Sequence, residues 1–327
     1  MMDSPQLIKK CIFYLSIFPQ GSSIRRKHLV RRWIAEGYSK GTNSNSLEEE
    51  AEKLIDRLIN LWIMLPEQTI TVSGAMRMTS CQVNSFFLEY IISRSGQDEE
   101  KTFLPLEVTV LEGSRFTTEH IGQHLAIGRS WDRAEFVYSS LDLSQLRSLT
   151  VFGKWKPFFI SDKMRVLRVL DLQDVSGVTS SDLGRMFRLQ TLDVRGTSVK
   201  KLPASIIKLR KLQYIRAGAK TPWPVKPPQP SSAARSWQQD LKEAKRFLSK
   251  LCRLGHHLAV PRGVGSLTAL HTLAVVNASA PRGKAILKEL RKLTELHELG
   301  VAGINRHNIR HLHLWDPSPI WNPYHCI

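Results

Sequence analysis

One leucine pattern, repeated along most of the chain, limits what the chain can fold into. The pattern L-x-x-L-x-L, with related apolar residues allowed, begins at residues 146, 167, 189, 212, 270 and 296, at intervals of 21, 22, 23, 58 and 26 residues. Repeats of roughly 20–29 residues with this pattern each contribute one short strand to a parallel sheet and bury their leucines. Because pattern and spacing recur together, the sequence predicts an α/β solenoid of leucine-rich repeats over residues 136–327.

The interval of 58 residues indicates an insertion in the repeat region. Five prolines lie between residues 222 and 230, and a basic segment with helical character follows at residues 236–254. Because proline interrupts both helices and sheets, we predict an inserted loop and helix at about residues 220–254. Residues 96–135 lack a clear period. We interpret them as a linker and an irregular first repeat, with a first strand near residues 134–137.

The first 95 residues have the spacing of a separate, smaller domain. Apolar residues recur at helical spacing up to Pro19. A second helical pattern ends at Gly37, where a left-handed residue commonly terminates a helix. Ser22 or Ser23 is the predicted N-cap of that second helix, because a serine hydroxyl can accept a bond from a free backbone N–H group.

A third helix and a hairpin complete this domain. Ser46 and Glu49 form an S-x-x-E capping box before another apolar stripe. Alternating segments on either side of residues 73–74 predict a hairpin, and Asn84 begins the last helix. Three helices and a hairpin are the parts of a winged-helix fold. The sequence therefore predicts an α+β chain with a winged-helix domain at residues 1–95, followed by the leucine-rich repeats.

Several stretches of the sequence resemble a known family. YLSIFP at residues 14–19 and LVRRWIAEG at residues 29–37 resemble the winged-helix segment of plant NLR disease-resistance receptors, and residues 256–279 and 286–305 resemble late repeats of the cereal type. The resemblance implies an intracellular, cytoplasmic protein of plant innate immunity. Such a protein acts through protein recognition and intramolecular restraint rather than chemistry. The segment normally follows a nucleotide-binding (NB-ARC) domain, so we expect a truncated relative or a non-functional receptor fragment.

The resemblance also makes Asn84 a candidate cofactor-binding residue. In the family, a Met-His-Asp or Val-His-Asp triplet brings its histidine to the phosphates of bound ADP, and this chain has Val83-Asn84-Ser85 at that place. An asparagine can still donate a hydrogen bond but carries no titratable charge. The sequence contains no G-x-x-x-x-G-K-[ST] motif to cradle a triphosphate. We therefore expect no enzymatic activity and no cofactor, with ADP as a ligand only if a nucleotide-binding domain lies upstream.

The predicted partner-binding surface is the concave face of the repeat strands. Successive residues of a strand point to opposite faces, so the positions that flank each inward leucine share the outer face. These positions are Thr150, Phe152, Val169, Asp171, Gln173, Thr191, Asp193, Arg195, Tyr214 and Arg216. We expect a protein partner or a pathogen effector to bind there. The alternative is that these side chains are merely solvated.

The positive charge of the chain lies in its C-terminal two thirds. The net charge is +18, yet residues 1–100 carry 12 basic and 12 acidic residues, whereas residues 185–253 carry 17 basic and 3 acidic ones. Such a field favours acidic partners, namely an acidic protein surface, nucleic acid or anionic lipid, and the alternative is a solvated basic face. A basic nucleic-acid-binding protein that uses the winged helix or residues 185–253 is the alternative function. Few aromatic residues interleave the charges, so we do not expect nucleic acid as the partner.

The remaining sequence features exclude several classes of protein. The apolar segment near the N-terminus is too short to span a bilayer, so no transmembrane segment is predicted. Four scattered cysteines without a C-x-x-C pair are typical of a reducing compartment. Histidines 307, 311, 313 and 325 with Cys326 show no metal-ligand spacing, and we predict no metal site.

Overall fold

The structure, a computed structural model, describes residues 5–39, 41, 45–70, 76–94, 108–113, 121–218, 258–278 and 282–302. Residues 1–171 with 189–191 form one unit, and residues 172–188 with 192–327 form another. The predicted insertion at residues 220–254 and the histidines from residue 307 onward lie outside the described residues. In the described part of the chain, no helix has both the length and the apolar character that crossing a bilayer requires.

Four helices form the first part of unit 1. They are α1 (Pro5–Tyr14), α2 (Arg26–Glu36), α3 (Leu47–Asn60) and α4 (Ser85–Arg94), with a 3₁₀ turn at Leu15–Ile17 after α1. The capping box at α3 is confirmed, because Ser46 Oγ accepts a bond from Glu49 N and the Glu49 carboxylate accepts one from Ser46 N. Gly37 ends α2 in the left-handed conformation, with φ of 78°.

A three-stranded antiparallel sheet lies beside these helices. Its strands are β1 (Ile24–Arg25), β2 (Met64–Ile70) and β3 (Met76–Val83), in the order β1-β3-β2. The prediction that Ser22 or Ser23 caps α2 is wrong. Ile24 and Arg25 instead pair with β3, and α2 begins after them without a side-chain cap. The predicted hairpin is confirmed and is longer than its local alternation indicated.

Unit 1 continues into parallel strands. β4 (Val108–Leu111), β5 (His124–Ile127), β6 (Ser148–Val151) and β7 (Val169–Asp171) pair in that order. The prediction of a first strand near residues 134–137 is wrong, because α5 (Glu135–Ser139) occupies that position. Tyr138 of α5 is buried against the rings of Trp131 and Phe159, so its apolar residues belong to the layer behind the sheet.

Unit 2 repeats the same arrangement. Its strands are β8 (Thr191–Asp193, of which Thr191 belongs to unit 1), β9 (Tyr214–Arg216), β10 (Thr272–Asn277) and β11 (Glu298–Ala302), with α6 at Gly283–Leu290. β9, β10 and β11 pair in parallel. The leucines predicted to face inward are buried in both units, among them Leu149, Leu170, Leu192 and Leu273. The leucine-rich pattern therefore forms parallel strands with short 3₁₀ turns or helices behind them.

One hydrophobic core joins the winged helix to the first strands. Apolar residues of α1 to α4 cluster with Val108 of β4 and Ala126 of β5, and Phe152 packs against the same cluster. Burial of this kind contributes roughly 25 cal/mol per Å² of apolar surface removed from water. Cys11 and Cys81 lie in this core as free thiols, and burial raises the pKa of Cys81 to about 12.

Left-handed turns recur where the strands end. Gly153 follows β6, Asp174 follows β7, Gly196 follows β8 and Gly218 follows β9, all at positive φ. Of these four residues, Asp174 is the one that is not glycine, and its φ of 62° is a backbone conformation that residues with a side chain rarely adopt. At Gly196 the backbone also approaches its neighbour, since an added Cβ would lie 2.2 Å from Asp174 Oδ1.

We predict that Gly196→Ala destabilises unit 2. The left-handed backbone costs an alanine about 1 kcal/mol or more, and the clash with Asp174 adds an overpacking penalty of about 1–3 kcal/mol. Gly21→Ala is the matched control, because Gly21 also has positive φ but its added Cβ meets nothing within 4 Å. Urea unfolding measures both losses of free energy. Equal losses in the two variants would show that the close approach at Gly196 is not constraining.

Candidate functional site

Helix α2 lies on the strand face that was predicted to bind partners. Three basic residues of α2, namely His28, Arg31 and Arg32, are buried, although arginine is almost never fully buried unless it is paired. Arg32 reaches across to both β6 and β7. All residues of this α2–strand interface belong to unit 1.

Arg32 is the centre of the interface and its side chain is 0 % exposed. The guanidinium donates three hydrogen bonds: Nε to Tyr14 Oη (2.7 Å), Nη1 to Asp171 Oδ2 (2.5 Å) and Nη2 to Thr150 Oγ1 (2.6 Å). Its Cζ also lies 5.3 Å from the Tyr14 ring centre and 5.2 Å from that of Phe18. Burial disfavours the charge, but Tyr14 and the Asp171 carboxylate outweigh it and raise the pKa of Arg32. The buried positive charge of Arg32 is thus compensated by the Asp171 carboxylate and by hydrogen bonds.

Asp171 receives a second partner from α2. His28 Nε2 lies 2.9 Å from Asp171 Oδ2, the oxygen that also accepts from Arg32. A further bond from Arg168 Nη1 to the carbonyl of Ala35 (3.2 Å) holds the end of α2, where free helix carbonyls attract cations. The helix is therefore attached near both of its ends and at its middle.

A second polar group lies where α2 ends. Tyr38 Oη is 2.8 Å from His124 Nε2, and Ser148 Oγ is 2.9 Å from His124 Nδ1. The Glu36 carboxylate lies 3.6 Å from the same Nδ1 atom. Burial and the positive charges of Arg32, Arg147 and Lys10 lower the pKa of His124 to about 3. The imidazole is therefore neutral near pH 7.

The ten predicted partner-binding residues are much less exposed than expected. Thr150, Val169, Asp171, Thr191, Asp193, Arg195 and Tyr214 are buried, Phe152 and Arg216 are half-buried, and Gln173 is exposed. For Thr150 and Asp171 the physical reason is direct, since α2 covers them. The alternative that these side chains are merely solvated does not hold for Thr150 and Asp171, whereas a role of the ten residues in binding a separate partner stays a prediction.

The buried residues of unit 2 have local partners. Arg195 forks onto the Asp193 carboxylate, with Nε at 2.9 and 3.0 Å from its two oxygens, and donates from Nη2 to Gln173 Oε1 (2.6 Å). The Tyr214 ring lies 5.7 Å from that of His271. These contacts fix the side chains on the strand face rather than leaving them extended into water.

Asn84, the candidate cofactor residue, has a structural role. Its Oδ1 accepts a bond from Phe86 N (3.1 Å) and its Nδ2 donates to the carbonyl of Trp62 (3.0 Å). The first bond caps α4, and the second holds Trp62, which has an unusual positive φ of 59°. A role for Asn84 toward a nucleotide stays a prediction.

Sequence reasoning named Thr150 and Asp171 but missed the α2 residues of the α2–strand interface. Leu29, Arg32, Trp33 and Glu36 recur at i, i+3, i+4 and i+7, which places Arg32 and Glu36 on the apolar stripe of α2. A charge within such a stripe was the available signal.

The Asp171 carboxylate is already compensated by Arg32, so a metal cation at that oxygen would have to compete with a buried guanidinium.

We predict that Arg32→Met destabilises unit 1 by about 3–5 kcal/mol, because the Asp171 carboxylate is left buried without its main counter-charge. Arg26→Met is the control, since its bridges to Glu52 and Asp56 are partly exposed and contribute about 1 kcal/mol or less. Denaturant unfolding of Arg32→Met, Asp171→Asn and the double variant completes the cycle. Strictly additive losses would contradict a direct coupling.

We predict that His124 makes unit 1 less stable in mild acid. Its pKa is about 3 when folded and 6.5 when unfolded, so only the unfolded chain takes up a proton between these values. The stabilisation is complete above pH 6.5 and is lost as the pH falls toward 3, by up to about 1.4 kcal/mol per pH unit. Unfolding of the wild type and His124→Gln between pH 7 and 4 measures the difference. Parallel pH profiles would contradict it.

Comparison with known proteins shows what this chain is similar to. Residues 17–90 match the family described as "Disease resistance protein Winged helix domain". The rice protein "Disease resistance protein Pik-2" (Oryza sativa subsp. japonica) is 29 % identical over 353 residues, which cover 92 % of this chain and 33 % of the relative. "Disease resistance protein PIK6-NP" from the same organism is 33 % identical over 219 residues, which cover 65 % of this chain and 20 % of the relative.

The chain thus spans about a third or less of the length of these relatives. Among solved structures, "Crystal structure of a TDR receptor" superposes with a TM-score of 0.32 and 16 % identity over 56 % of this chain and 26 % of that one. A superposition at this level does not define the fold. The two rice proteins and the winged-helix match agree with the helices and hairpin described above. The chain is therefore similar to plant disease-resistance proteins, and residues 17–90 match their winged-helix domain.

Proposed function

We propose that this chain acts in plant defence as a cytoplasmic, immune-receptor-like protein that works through protein recognition and not through catalysis. The leucine-rich repeats form a solenoid whose concave strand face binds protein. The observation that carries the proposal is the burial of Arg32 between β6 and β7. This burial supports the proposal because the strand face already binds a protein element, namely helix α2 of the same chain.

The α2–strand interface supplies the mechanism of restraint. Thr150 and Asp171 hold α2 and cannot hold another protein at the same time. A protein partner or pathogen effector that binds this face therefore displaces α2, and α2 in turn weakens the binding of that partner. Since α2 and the partner exclude one another from this face, each weakens the binding of the other by the same free energy. Binding of the partner is thus converted into release of the winged helix.

The proposal requires no catalytic residue and no cofactor. ADP enters only where a nucleotide-binding domain accompanies the winged helix, and Asn84 is then the residue placed toward it. The alternative of a nucleic-acid-binding winged helix is not favoured. A recognition helix must present its side chains to the major groove, and in α2 His28, Arg31 and Arg32 are buried.

The proposal is tested by releasing α2 in leaf tissue. We expect expression of Arg32→Ala to change ion leakage, a measure of the defence response, relative to the wild-type chain. Arg26→Ala is the control, because its ion pairs join α2 to α3 within the winged helix. Hydrogen exchange on the purified proteins reports whether the amides of α2 become less protected in Arg32→Ala.

The two measurements separate the parts of the proposal. Faster exchange in α2 with unchanged ion leakage would reject the defence role and favour a non-functional receptor fragment. Unchanged exchange in α2 would reject the restraint itself, whatever the leaf response. Both effects in Arg32→Ala, and neither in Arg26→Ala, are the expected result.

A further inference from the structure

Two neighbouring loops of unit 2 expose a concentrated positive charge around one aromatic ring. The first loop is Arg185–Arg188, and the second is Lys208–Lys211. Their exposed side chains are Arg185, Phe187, Arg188, Lys208, Arg210 and Lys211. Neither loop contains an acidic residue. We refer to residues 185–188 and 208–211 as the basic loop pair.

The packing of unit 2 places these loops side by side. Each loop follows or overlaps a 3₁₀ turn, Ser180–Gly184 in the first case and Ala204–Lys208 in the second. The two turns are in contact, since a Cβ on Gly184 would lie 1.7 Å from Ser205 Oγ. Met186 and Leu209 are buried at the same position of the two loops, so equivalent exposed residues lie in register.

The positive surface continues beyond the second loop. Arg210 Nη1 donates to the carbonyl of Ser266 (2.6 Å), in the next turn of the stack. The adjacent Gly265 has the Lys292 side chain as its neighbour, at 3.2 Å from an added Cβ. Lys284 and Lys288 are exposed on α6, whose opposite side is buried. Arg210 and Lys292 thus extend the positive charge of the basic loop pair toward the turn at Val264–Ser266.

Phe187 is the unusual residue of this surface. It is 66 % exposed, although three flanking positions, Arg185, Arg188 and Arg210, are cationic. An isolated exposed phenylalanine needs no explanation. Here, however, the ring and the cations combine the two signals that a peripheral membrane site needs, since an apolar group or a basic patch alone binds bilayers only weakly and reversibly.

We infer that the basic loop pair binds the surface of an anionic phospholipid bilayer, with Phe187 inserted at the level of the headgroups. The cations add their attractions to the negative surface potential, which acts within about one Debye length and requires no exact register. Protein interfaces are depleted in lysine, whereas this surface contains Lys208, Lys211 and Lys292. Single-stranded nucleic acid stacks its bases on several aromatic rings, and the basic loop pair has one.

This inference goes beyond the proposed function and does not depend on it. It is tested by sedimenting the full chain with vesicles of phosphatidylcholine alone, or of phosphatidylcholine mixed with phosphatidylserine. We expect binding to the anionic vesicles that weakens as salt is added, and no binding to the neutral ones. Arg188→Gln/Lys211→Gln lowers partitioning at least about tenfold. Phe187→Ser lowers it several-fold and leaves the salt dependence unchanged.

Matched controls come from unit 1. Lys27→Gln/Lys154→Gln removes the same number of exposed charges, and Phe136→Ser removes a ring that is 76 % exposed. Both keep wild-type binding if the site is the basic loop pair. Absence of binding to anionic vesicles, equal loss in both charge variants, or no effect of Phe187→Ser would each overturn the inference. The inference would also be overturned if a single-stranded oligonucleotide displaced the protein from the vesicles and bound it through Phe187.

Discussion

The rest of unit 1 depends on the hydrogen bonds and the ion pair of the buried Arg32 guanidinium. A guanidinium removed from water is tolerated only where most of its donors find acceptors. Here the acceptors come from α1, β6 and β7, so three elements distant in sequence must be in place together. The aliphatic core beneath is non-directional and would accept many arrangements. The hydrogen bonds of Arg32 select one position of α2 along the strands.

The same geometry covers part of the strand face. A strand face in a leucine-rich repeat offers its outward side chains to whatever covers it, and in unit 1 this is a helix of the same chain. His28, Arg32 and Arg168 supply the polar contacts, while Val108, Ala126 and Phe152 join the hydrophobic core of the winged helix. Under the proposed function, a partner that binds this face must replace both kinds of contact, so it needs an apolar patch and a cationic group for the Asp171 carboxylate.

Much of the fold could be predicted from the sequence because helices and strands leave periodic signals. The leucine spacing gave the parallel strands, and the box at Ser46 gave the start of α3. Local patterns failed where a distant segment decides the outcome. Ile24 and Arg25 become a strand only because β3 is there to pair with them. Alternation likewise identified the face on which Thr150 and Asp171 lie, but it contains no information on what covers that face. Asn84 was interpreted through its resemblance to a family triplet, whereas its bonds to Phe86 and Trp62 depend on the turn beside it.

The covering of the strand face by α2 has a consequence for how such a sequence can vary. Thr150 and Asp171 serve a partner inside the chain, so a substitution at either position is tolerated only together with a compensating change in α2. Gln173, which is exposed, has its hydrogen-bond partner Arg195 within unit 2 and not on α2. Exposed positions such as Gln173 can therefore change by single substitutions, whereas the positions covered by α2 change in pairs. The sequence of the strand face should therefore change slowly at the positions that α2 covers, where two substitutions are needed, and faster at the exposed ones.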